Sequence, residues 1–141
     1  LIPLALGAAQ GSAPPLTVFG DDHNTPDGTC IRDYVHVADL ADAHVRALVH
    51  AGRDRGFSAF NLGTGSGVSI KKLIAAAEAV TGRTVPFSYG PRRAGDPAAL
   101  VADPTLAFNT MDWKACHSDL HHILSTAWAW MEKQTSPWCV K

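Results

Sequence analysis

Arg32 is the residue of this sequence whose type and surroundings best suit the binding of an anion. It follows a loop rich in turn-forming residues, 20–29, and precedes a predicted helix. A guanidinium is always charged, and its rigid fork of N–H donors matches the oxygens of a carboxylate or a phosphate. The loop could therefore present Arg32 to a diphosphate. Its spacing also allows a surface ion pair with Asp27 or Asp33, the usual state of a single arginine near acids.

A second basic turn contains Arg92 and Arg93 and, three residues later, Asp96. These guanidinium groups could hold an anion together with Arg32, and a carboxylate can accept hydrogen bonds from a vicinal diol. The alternative is a solvated surface turn whose charge Asp96 partly neutralises. Residue types alone leave both interpretations open.

Strands alternate with helices along the chain, which indicates an α/β fold. Hydrophobic periodicity and turn residues predict strands at 16–19, 59–62 and 85–89 and helices at 37–49 and 120–131. Ser69 and Gly82 suit the ends of another helix, and Asp103-Pro104 suits the start of a short one.

The length of 141 residues favours one domain, 1–141. The segment 1–7 begins without Met and has the character of a helix interior, so we expect the chain to be a fragment.

The composition argues against several classes of function. The formal net charge is −1 and the basic residues are scattered, so no nucleic-acid partner is expected. No apolar run approaches the ~20 residues of a membrane span, and no secretion signal is recognisable. The cysteines, Cys30, Cys116 and Cys139, are odd in number and widely spaced, which favours a reducing, cytoplasmic compartment.

Two local patterns have the outline of ligand sites. The segment 63–67, Gly-Thr-Gly-Ser-Gly, lies between a predicted strand and a helix. A dinucleotide loop needs differently spaced glycines and an acid about 20 residues further on, so we interpret this segment as a turn. Cys116, His117, His121 and His122 could form a metal cluster, but solvated helix histidines are the simpler interpretation, and no metal site is predicted.

Other histidine and tryptophan side chains have structural explanations. We interpret His36 as a packed, hydrogen-bonded strand residue rather than a general base. Trp113, Trp128 and Trp130 are expected to anchor the last helix to the core, because large aromatic rings bury much area.

Six short motifs spread over nearly the whole chain occur in a characteristic order. They are Val18-Phe19-Gly20-Asp21-Asp22, Thr25-Pro26-Asp27-Gly28-Thr29, Arg32-Asp33-Tyr34-Val35-His36-Val37, Asn61-Leu62-Gly63-Thr64-Gly65, Arg92-Arg93-Ala94-Gly95-Asp96 and Trp128-Ala129-Trp130. The chain thereby resembles the UDP-glucose 4-epimerase family of extended short-chain dehydrogenases. The resemblance implies that 1–141 is the C-terminal substrate-binding lobe of an extended Rossmann-type epimerase, with the N-terminal dinucleotide-binding part missing.

The resemblance also implies a reaction, a cofactor and partners. Members of the family invert C4 of a UDP-hexose with a tightly held NAD, and a homodimer is expected. Neither Tyr34 nor Tyr89 is followed four positions later by lysine, and no Gly-x-x-Gly-x-x-Gly loop occurs in the sequence. No catalytic or cofactor-binding residue is therefore predicted here, and the chain is expected to be inactive by itself.

Four of the substrate-binding positions implied by the resemblance concern the uridine. Leu1 matches a residue that backs the uracil, and the strand residues Leu16, Thr17 and Phe19 match residues that line the uridine. Phe19 would give the base an apolar face.

The other four positions concern the diphosphate and the sugars. Arg32 and Arg93 match the two arginines that grip the diphosphate, and Asp96 matches the acid that accepts hydrogen bonds from the ribose hydroxyls. Leu100 matches a residue whose bulk helps decide whether an N-acetylhexosamine fits the sugar pocket.

Three alternatives to a UDP-glucose 4-epimerase stay open. The chain could be a stand-alone, non-catalytic nucleotide-sugar-binding module. It could belong to a UDP-pentose or UDP-N-acetylhexosamine 4-epimerase, because Leu100 is of intermediate size. A related dehydratase or decarboxylase is disfavoured by the Thr-Pro-Asp-Gly-Thr run at 25–29.

Overall fold

The computed structural model describes residues 1–53 and 56–134, and Cys139 lies outside the described residues. Helices and short strands are interspersed along the chain, as in an α/β fold. The elements are α1 (Ile2–Gln10), β1 (Leu16–Phe19), β2 (Ile31–Arg32), α2 (Val37–Ala51), β3 (Val68–Ser69), α3 (Ile70–Thr81), β4 (Phe87–Gly90), β5 (Ala99–Leu100), α4 (Thr105–Met111) and α5 (Leu120–Gln134).

The strands form two small sheets. β1 pairs with β4 in parallel, with Leu16 opposite Phe87 and Phe19 opposite Gly90. β2 is the centre of the other sheet, antiparallel to β3 and parallel to β5. This second sheet places Arg32 beside Leu100 on the neighbouring strand.

The larger hydrophobic cluster joins α1, α3 and α5 to β1 and to Val85. Leu6, Leu73 and Leu124 are fully buried in it. Burying a leucine side chain stabilises a fold by about 1.5–3 kcal/mol, so the burial of these three leucines helps to hold the helices on β1.

The smaller cluster joins α2 and α4 through Ala43, Ala107, Met111 and Trp113. The Trp113 ring is buried, and its Nε1–H donates a 2.9 Å hydrogen bond to the backbone carbonyl of Asp39. Trp113 therefore anchors the segment after α4 to α2 rather than α5 to the core.

The predicted helices are confirmed, and their ends show why the sequence located them. The Ser69 side chain accepts a hydrogen bond from the Lys72 N–H at the start of α3, and Gly82 ends that helix in the left-handed conformation. The Asp103 carboxylate accepts a hydrogen bond from the Thr105 N–H at the start of α4.

Other predictions from the sequence are wrong, or the predicted element begins at a different residue. The segment 59–62 is not a strand, although Phe60 and Leu62 pack against the smaller cluster. The predicted strand at 85–89 is found as β4, two residues later at its start. Trp128 is buried, but Trp130 is 63% exposed and anchors nothing. His36 precedes α2 and caps it, because its Nδ1 accepts a hydrogen bond from the Ala38 N–H.

Candidate functional site: a cavity between two arginines and a strand edge

Five segments that are distant in sequence surround one cavity of about 270 Å³. They are the start of α1, strand β1, the segment 30–34 around β2, the start of α3 and the turn at 93–96. Seven of the eight predicted binding residues line this cavity, namely Leu1, Leu16, Thr17, Phe19, Arg32, Arg93 and Asp96. The volume is slightly below the usual range for small-molecule sites, about 300–1,000 Å³.

Arg32 pairs with Asp96 and not with the two acids nearest in sequence. Its Nη2 donates to the Asp96 carboxylate, and its Nη1 donates to the carbonyls of Pro97 at 3.0 Å and Ile31 at 2.6 Å. A guanidinium has five N–H groups. The Nε–H and one Nη2–H of Arg32 are therefore left to bind an anion in the cavity.

A four-residue turn places Arg93 and Asp96 at its two ends. The Asp96 N–H donates to the Arg93 carbonyl at 3.2 Å, and Gly95 has a φ of 80°, as the third residue of a type II turn requires. The Arg93 guanidinium lies 3.8 Å from the centre of the Phe19 ring. This cation–π contact holds the charge of Arg93 over the end of β1.

The neighbouring arginine, Arg92, has a different role. Its Nε donates to the Asp22 carboxylate at 2.6 Å, and its Nη2 donates to the Asp22 carbonyl. This contact lowers the pKa of Asp22 below its ordinary value. Arg92 thus ties the 92–96 turn to the 20–29 loop, outside the cavity lining.

The 20–29 loop is folded back on itself by its own side chains. The Asp27 carboxylate accepts hydrogen bonds from the Thr29 N–H at 3.0 Å and the Thr29 hydroxyl at 2.7 Å. Its other oxygen accepts from the Ser69 hydroxyl, which fastens the loop to α3. Gly28 has a φ of 79°, and an added Cβ would lie 2.0 Å from the Asp21 carbonyl oxygen, so this turn needs glycine.

Burial and hydrogen bonding oppose each other at Asp27. Its partial burial raises the pKa of the carboxyl. The hydrogen bonds from Ser69 and Thr29 lower the pKa by more than burial raises it, so the net pKa is below the ordinary value. The loop is therefore fixed by an ionised carboxylate at neutral pH.

Tyr34 is a cavity residue that the sequence analysis missed. Its hydroxyl is buried and has no hydrogen-bond partner among the described residues. Burial raises the pKa of Tyr34 to about 12, so the hydroxyl is protonated and can donate. An unpartnered buried polar group costs about 1–3 kcal/mol, which makes Tyr34 a candidate ligand contact. Its position two residues after Arg32 in an extended segment could have placed it on the same face.

Leu100 is the predicted site residue that does not line the cavity. It lies on β5 opposite Arg32, and its side chain is 60% exposed. The sheet register thus places it next to the cavity mouth rather than inside.

The glycine-rich segment 63–67 is a turn built around a carboxylate. Asp33 accepts hydrogen bonds from the N–H groups of Thr64 at 3.0 Å and Gly65 at 3.2 Å, and from the Thr64 hydroxyl at 2.6 Å. The amides that a dinucleotide loop would turn toward phosphate already bind Asp33. The 63–67 turn therefore does not fit the phosphates of NAD.

The histidines near α5 are arranged differently from the sequence pattern. His117 precedes α5, and its ring lies 6.3 Å from that of His36 and 6.0 Å from that of His122, not against His121. Within 1–53 and 56–134, no three His, Cys, Asp or Glu side chains are placed to hold a metal ion. Over the same residues, no helix combines the length and apolarity of a membrane span.

Known proteins are similar to this chain in sequence. Residues 1–63 match the NAD dependent epimerase/dehydratase family. The UDP-glucose 4-epimerase of Lacticaseibacillus casei is 45% identical over 132 residues, which are 94% of this chain and 40% of that protein. The resemblance inferred from the motifs is thereby confirmed.

Solved structures agree with the sequence relatives. A UDP-glucose 4-epimerase from Stenotrophomonas maltophila, with bound NAD and formylated UDP-arabinopyranose, matches with a TM-score of 0.89 and 45% identity, covering 96% of this chain and 40% of that one. The enzyme from Brucella ovis, in complex with NAD, matches with a TM-score of 0.86 and 51% identity, covering 92% and 40%. The α/β fold class is confirmed, and the chain spans about 40% of the length of these relatives.

Proposed function

We propose that this chain, which is homologous to UDP-glucose 4-epimerases of the NAD-dependent epimerase/dehydratase family, binds the UDP moiety of a UDP-hexose for the interconversion of UDP-glucose and UDP-galactose. The observation that carries the proposal is the convergence of β1, Arg32 and the 93–96 turn on one cavity. An apolar strand beside two guanidinium groups suits a ligand with a flat base at one end and a diphosphate at the other.

The diphosphate would bind between Arg32 and Arg93. Both side chains line the cavity, and Arg32 retains two N–H donors beyond those used by Asp96 and the backbone. The Arg93 guanidinium makes a ring contact with Phe19 and, among the described residues, no hydrogen bond or ion pair. Its donors can therefore turn toward phosphate oxygens. Asp96, already fixed by Arg32, would accept hydrogen bonds from the ribose hydroxyls with its remaining lone pairs.

The uracil would bind along the outer edge of β1. The Leu16 N–H donates to Pro86 at 2.8 Å and the Gly20 N–H donates to Gly90 at 2.9 Å, so alternate residues face β4. Thr17 and Phe19 consequently present their backbone groups at the opposite edge. These groups can pair with the polar edge of a base, while Leu1 supplies apolar contact.

The redox step of the reaction is not assigned to these residues. NAD supplies hydride chemistry in enzymes that hold it, but the 63–67 turn binds Asp33 and no Tyr-x-x-x-Lys unit occurs in the sequence. The contribution of this chain is binding energy at the part of the substrate that does not react. Such remote contacts position the reacting carbon.

The preference for one sugar would be decided near Leu100. Its exposed side chain on β5 adjoins Arg32, where a sugar attached to the second phosphate would emerge. The intermediate size of a leucine does not select one sugar. The assignment to UDP-hexoses rests on the similarity to UDP-glucose 4-epimerases, and a UDP-pentose and a UDP-N-acetylhexosamine are the competing substrates to be compared in the binding assay.

The cellular setting is part of the same proposal. Cys30 and Cys116 are free thiols, which agrees with a reducing cytoplasm. A homodimer is proposed for the complete enzyme by analogy with the family, and light scattering at increasing protein concentration would test it.

The test of the proposed function is calorimetric titration of the chain with UDP, with and without the substitution Arg93→Ala. Losing a hydrogen bond to a charged group costs about 1.5–3 kcal/mol, so the Kd should rise about 10-fold to 150-fold. Arg83→Ala is the matched control, because the Arg83 guanidinium also lies on an aromatic ring, 5.3 Å from the centre of Trp128, but outside the cavity. Equal losses in both variants, or no binding of UDP by the folded chain, would refute the proposal.

A further inference from the structure

The 96–102 segment lies beside β2 and contains β5, the strand of Leu100. Arg32 fixes the first residues of this segment, because its guanidinium donates to the Asp96 carboxylate and to the Pro97 carbonyl at 3.0 Å. In the proposed function, Arg32 also binds the diphosphate. This end of the segment is therefore held by a residue that contacts the ligand.

Asp33 holds the other end of the 96–102 segment from outside the cavity lining. Its Oδ2 accepts a hydrogen bond from the Ala102 N–H at 3.4 Å and another from the Gly65 N–H at 3.2 Å. Its Oδ1 accepts from the Thr64 hydroxyl at 2.6 Å. One carboxylate therefore joins the chain after β5 to the glycine-rich turn and to the end of β2.

The glycine-rich turn packs directly against this junction. A Cβ added at Gly63 would lie 2.5 Å from the Asp33 Oδ2 and 2.5 Å from the Ala102 Cβ. A Cβ added at Gly67 would lie 2.8 Å from the Val101 side chain. Because these positions have room for glycine only, the turn, the Asp33 carboxylate and the chain after β5 are in close contact.

We propose that Asp33 is a positioning residue for the sugar end of the site: it holds the chain after β5 and thereby keeps Leu100 beside Arg32. The inference rests on the proposed function and adds to it a residue outside the cavity lining. β5 has two residues, so its pairing with β2 supplies few hydrogen bonds, and its position depends on the contacts at its ends.

The effect of Asp33 should be larger for the sugar than for the rest of the ligand. Leu100 is opposite Arg32 in the sheet and 60% exposed, next to the place where a sugar attached to the second phosphate would emerge. A side chain that is already fixed binds a ligand more tightly than a mobile one, because less conformational freedom is lost on binding. Releasing the chain after β5 therefore weakens the contact of Leu100 with the sugar.

Calorimetric titration of the 141-residue chain with UDP and with UDP-galactose tests this effect. The ratio of the Kd for UDP-galactose to the Kd for UDP should rise at least about threefold in Asp33→Ala. Asp33→Asn should keep the ratio within about twofold of the native value, because the amide oxygen still accepts a hydrogen bond from the Ala102 N–H. An equal loss of affinity for both ligands in Asp33→Ala would show a general disturbance and overturn the inference.

A control variant and a double variant test the route of the effect. Glu78→Ala removes another carboxylate that accepts a backbone N–H, that of Val85 at 3.0 Å, outside the cavity lining, and it should leave the ratio unchanged. In a Leu100→Ala chain, adding Asp33→Ala should not change the ratio further. An additive effect of the two substitutions overturns the claim that Asp33 acts through Leu100.

If Asp33→Ala does not fold, Gly63→Ala tests the same junction with Asp33 present. Its Cβ would force Asp33 and Ala102 apart, so the Kd ratio should again rise at least about threefold. Gly52→Ala is the matched control, because the nearest atom to its Cβ is 3.5 Å away, and it should leave the ratio unchanged. A native ratio in folded Gly63→Ala overturns the inference.

Hydrogen–deuterium exchange without ligand separates this inference from the proposed function. In Asp33→Ala, a peptide covering 99–103 should exchange at least about tenfold faster than in the native chain, while α1 keeps its rate. Unchanged exchange at 99–103 overturns the inference even where UDP binds. If UDP does not bind while exchange at 99–103 rises, the proposed function fails and the role in sugar binding fails with it, whereas the anchoring of the 96–102 segment by Asp33 stands.

Discussion

The substitution Arg32→Lys tests the proposed diphosphate contact, because it keeps the positive charge and removes the guanidinium fork. Arg32 donates to the Ile31 carbonyl, the Pro97 carbonyl and the Asp96 carboxylate through three N–H groups, and two N–H groups remain. A lysine ammonium is a single point with three donors and cannot serve the turn and a phosphate from one position. The variant keeps the net charge and loses the fork.

The expected loss follows from this count of donors. Replacing a two-pronged contact by one hydrogen bond removes about one charge-assisted hydrogen bond, worth about 1.5–3 kcal/mol. The Kd for UDP should therefore rise about 10-fold to 150-fold. The Arg32–Asp96 pair is partly exposed, with side chains 21% and 34% accessible, so the folded chain should lose no more than about 1 kcal/mol of stability.

Calorimetry with UDP and with uridine provides the assay, and Arg83→Lys is the matched control. Uridine lacks phosphate, so its affinity should be the same in the native chain and in Arg32→Lys. A parallel loss for UDP and uridine would mean that the substitution disturbs the cavity as a whole. That result, or an unchanged UDP affinity, refutes the assignment of Arg32 to the diphosphate.

Two further predictions concern the scaffold of the site. Gly28→Ala should destabilise the chain by about 2 kcal/mol or more in urea unfolding, since an alanine Cβ would lie 2.0 Å from the Asp21 carbonyl oxygen at a φ of 79°. Gly11→Ala, at a φ of 81° with open space around it, is the control and should cost about 1 kcal/mol. At Asp39, burial raises the pKa, but hydrogen bonds from Ser118, Cys116 and His117 lower it to a net value below the ordinary 3.8. The ionised Asp39 therefore stabilises the fold fully above about pH 4, and this stabilisation is lost as the pH falls through the folded pKa. Asp39→Asn should cost about 2–3 kcal/mol at pH 7 and progressively less as the pH falls through the folded pKa of Asp39, whereas a difference that stays constant on acidification would contradict this account.

Helices were predictable because their signals are local. The apolar spacing of α2 and α3 and the cap residues Ser69 and Gly82 act within one or two turns of the chain. The strands β2, β3 and β5 have two residues each, too few to show the alternation of apolar and polar residues that marks a strand. Only their pairing with neighbouring strands defines them. The segment 59–62 has the composition of a strand, but among the described residues it has no partner strand.

The residues of the candidate site were also predictable in part, whereas the contacts between distant residues were not. The resemblance predicted seven of the residues that line the cavity, because motifs preserve residue types and order. It did not predict the pairing of Arg32 with Asp96, which are 64 positions apart. The contact of Cys30 with His23 was also missed, since it depends on a loop that folds back through Asp27 and Gly28.

The segment 32–39 connects the cavity to other parts of the fold, because its successive side chains face in different directions. Arg32 and Tyr34 line the cavity, while Asp33 between them binds the N–H groups of the 64–65 turn. In the first turn of α2, Asp39 accepts hydrogen bonds from the N–H groups of Cys116 and His117 and anchors the chain before α5. A shift of one residue would turn a carboxylate toward the proposed diphosphate and a guanidinium toward the amides of the turn. The two carboxylates thus fix the register that turns Arg32 toward the cavity, although neither lines the cavity.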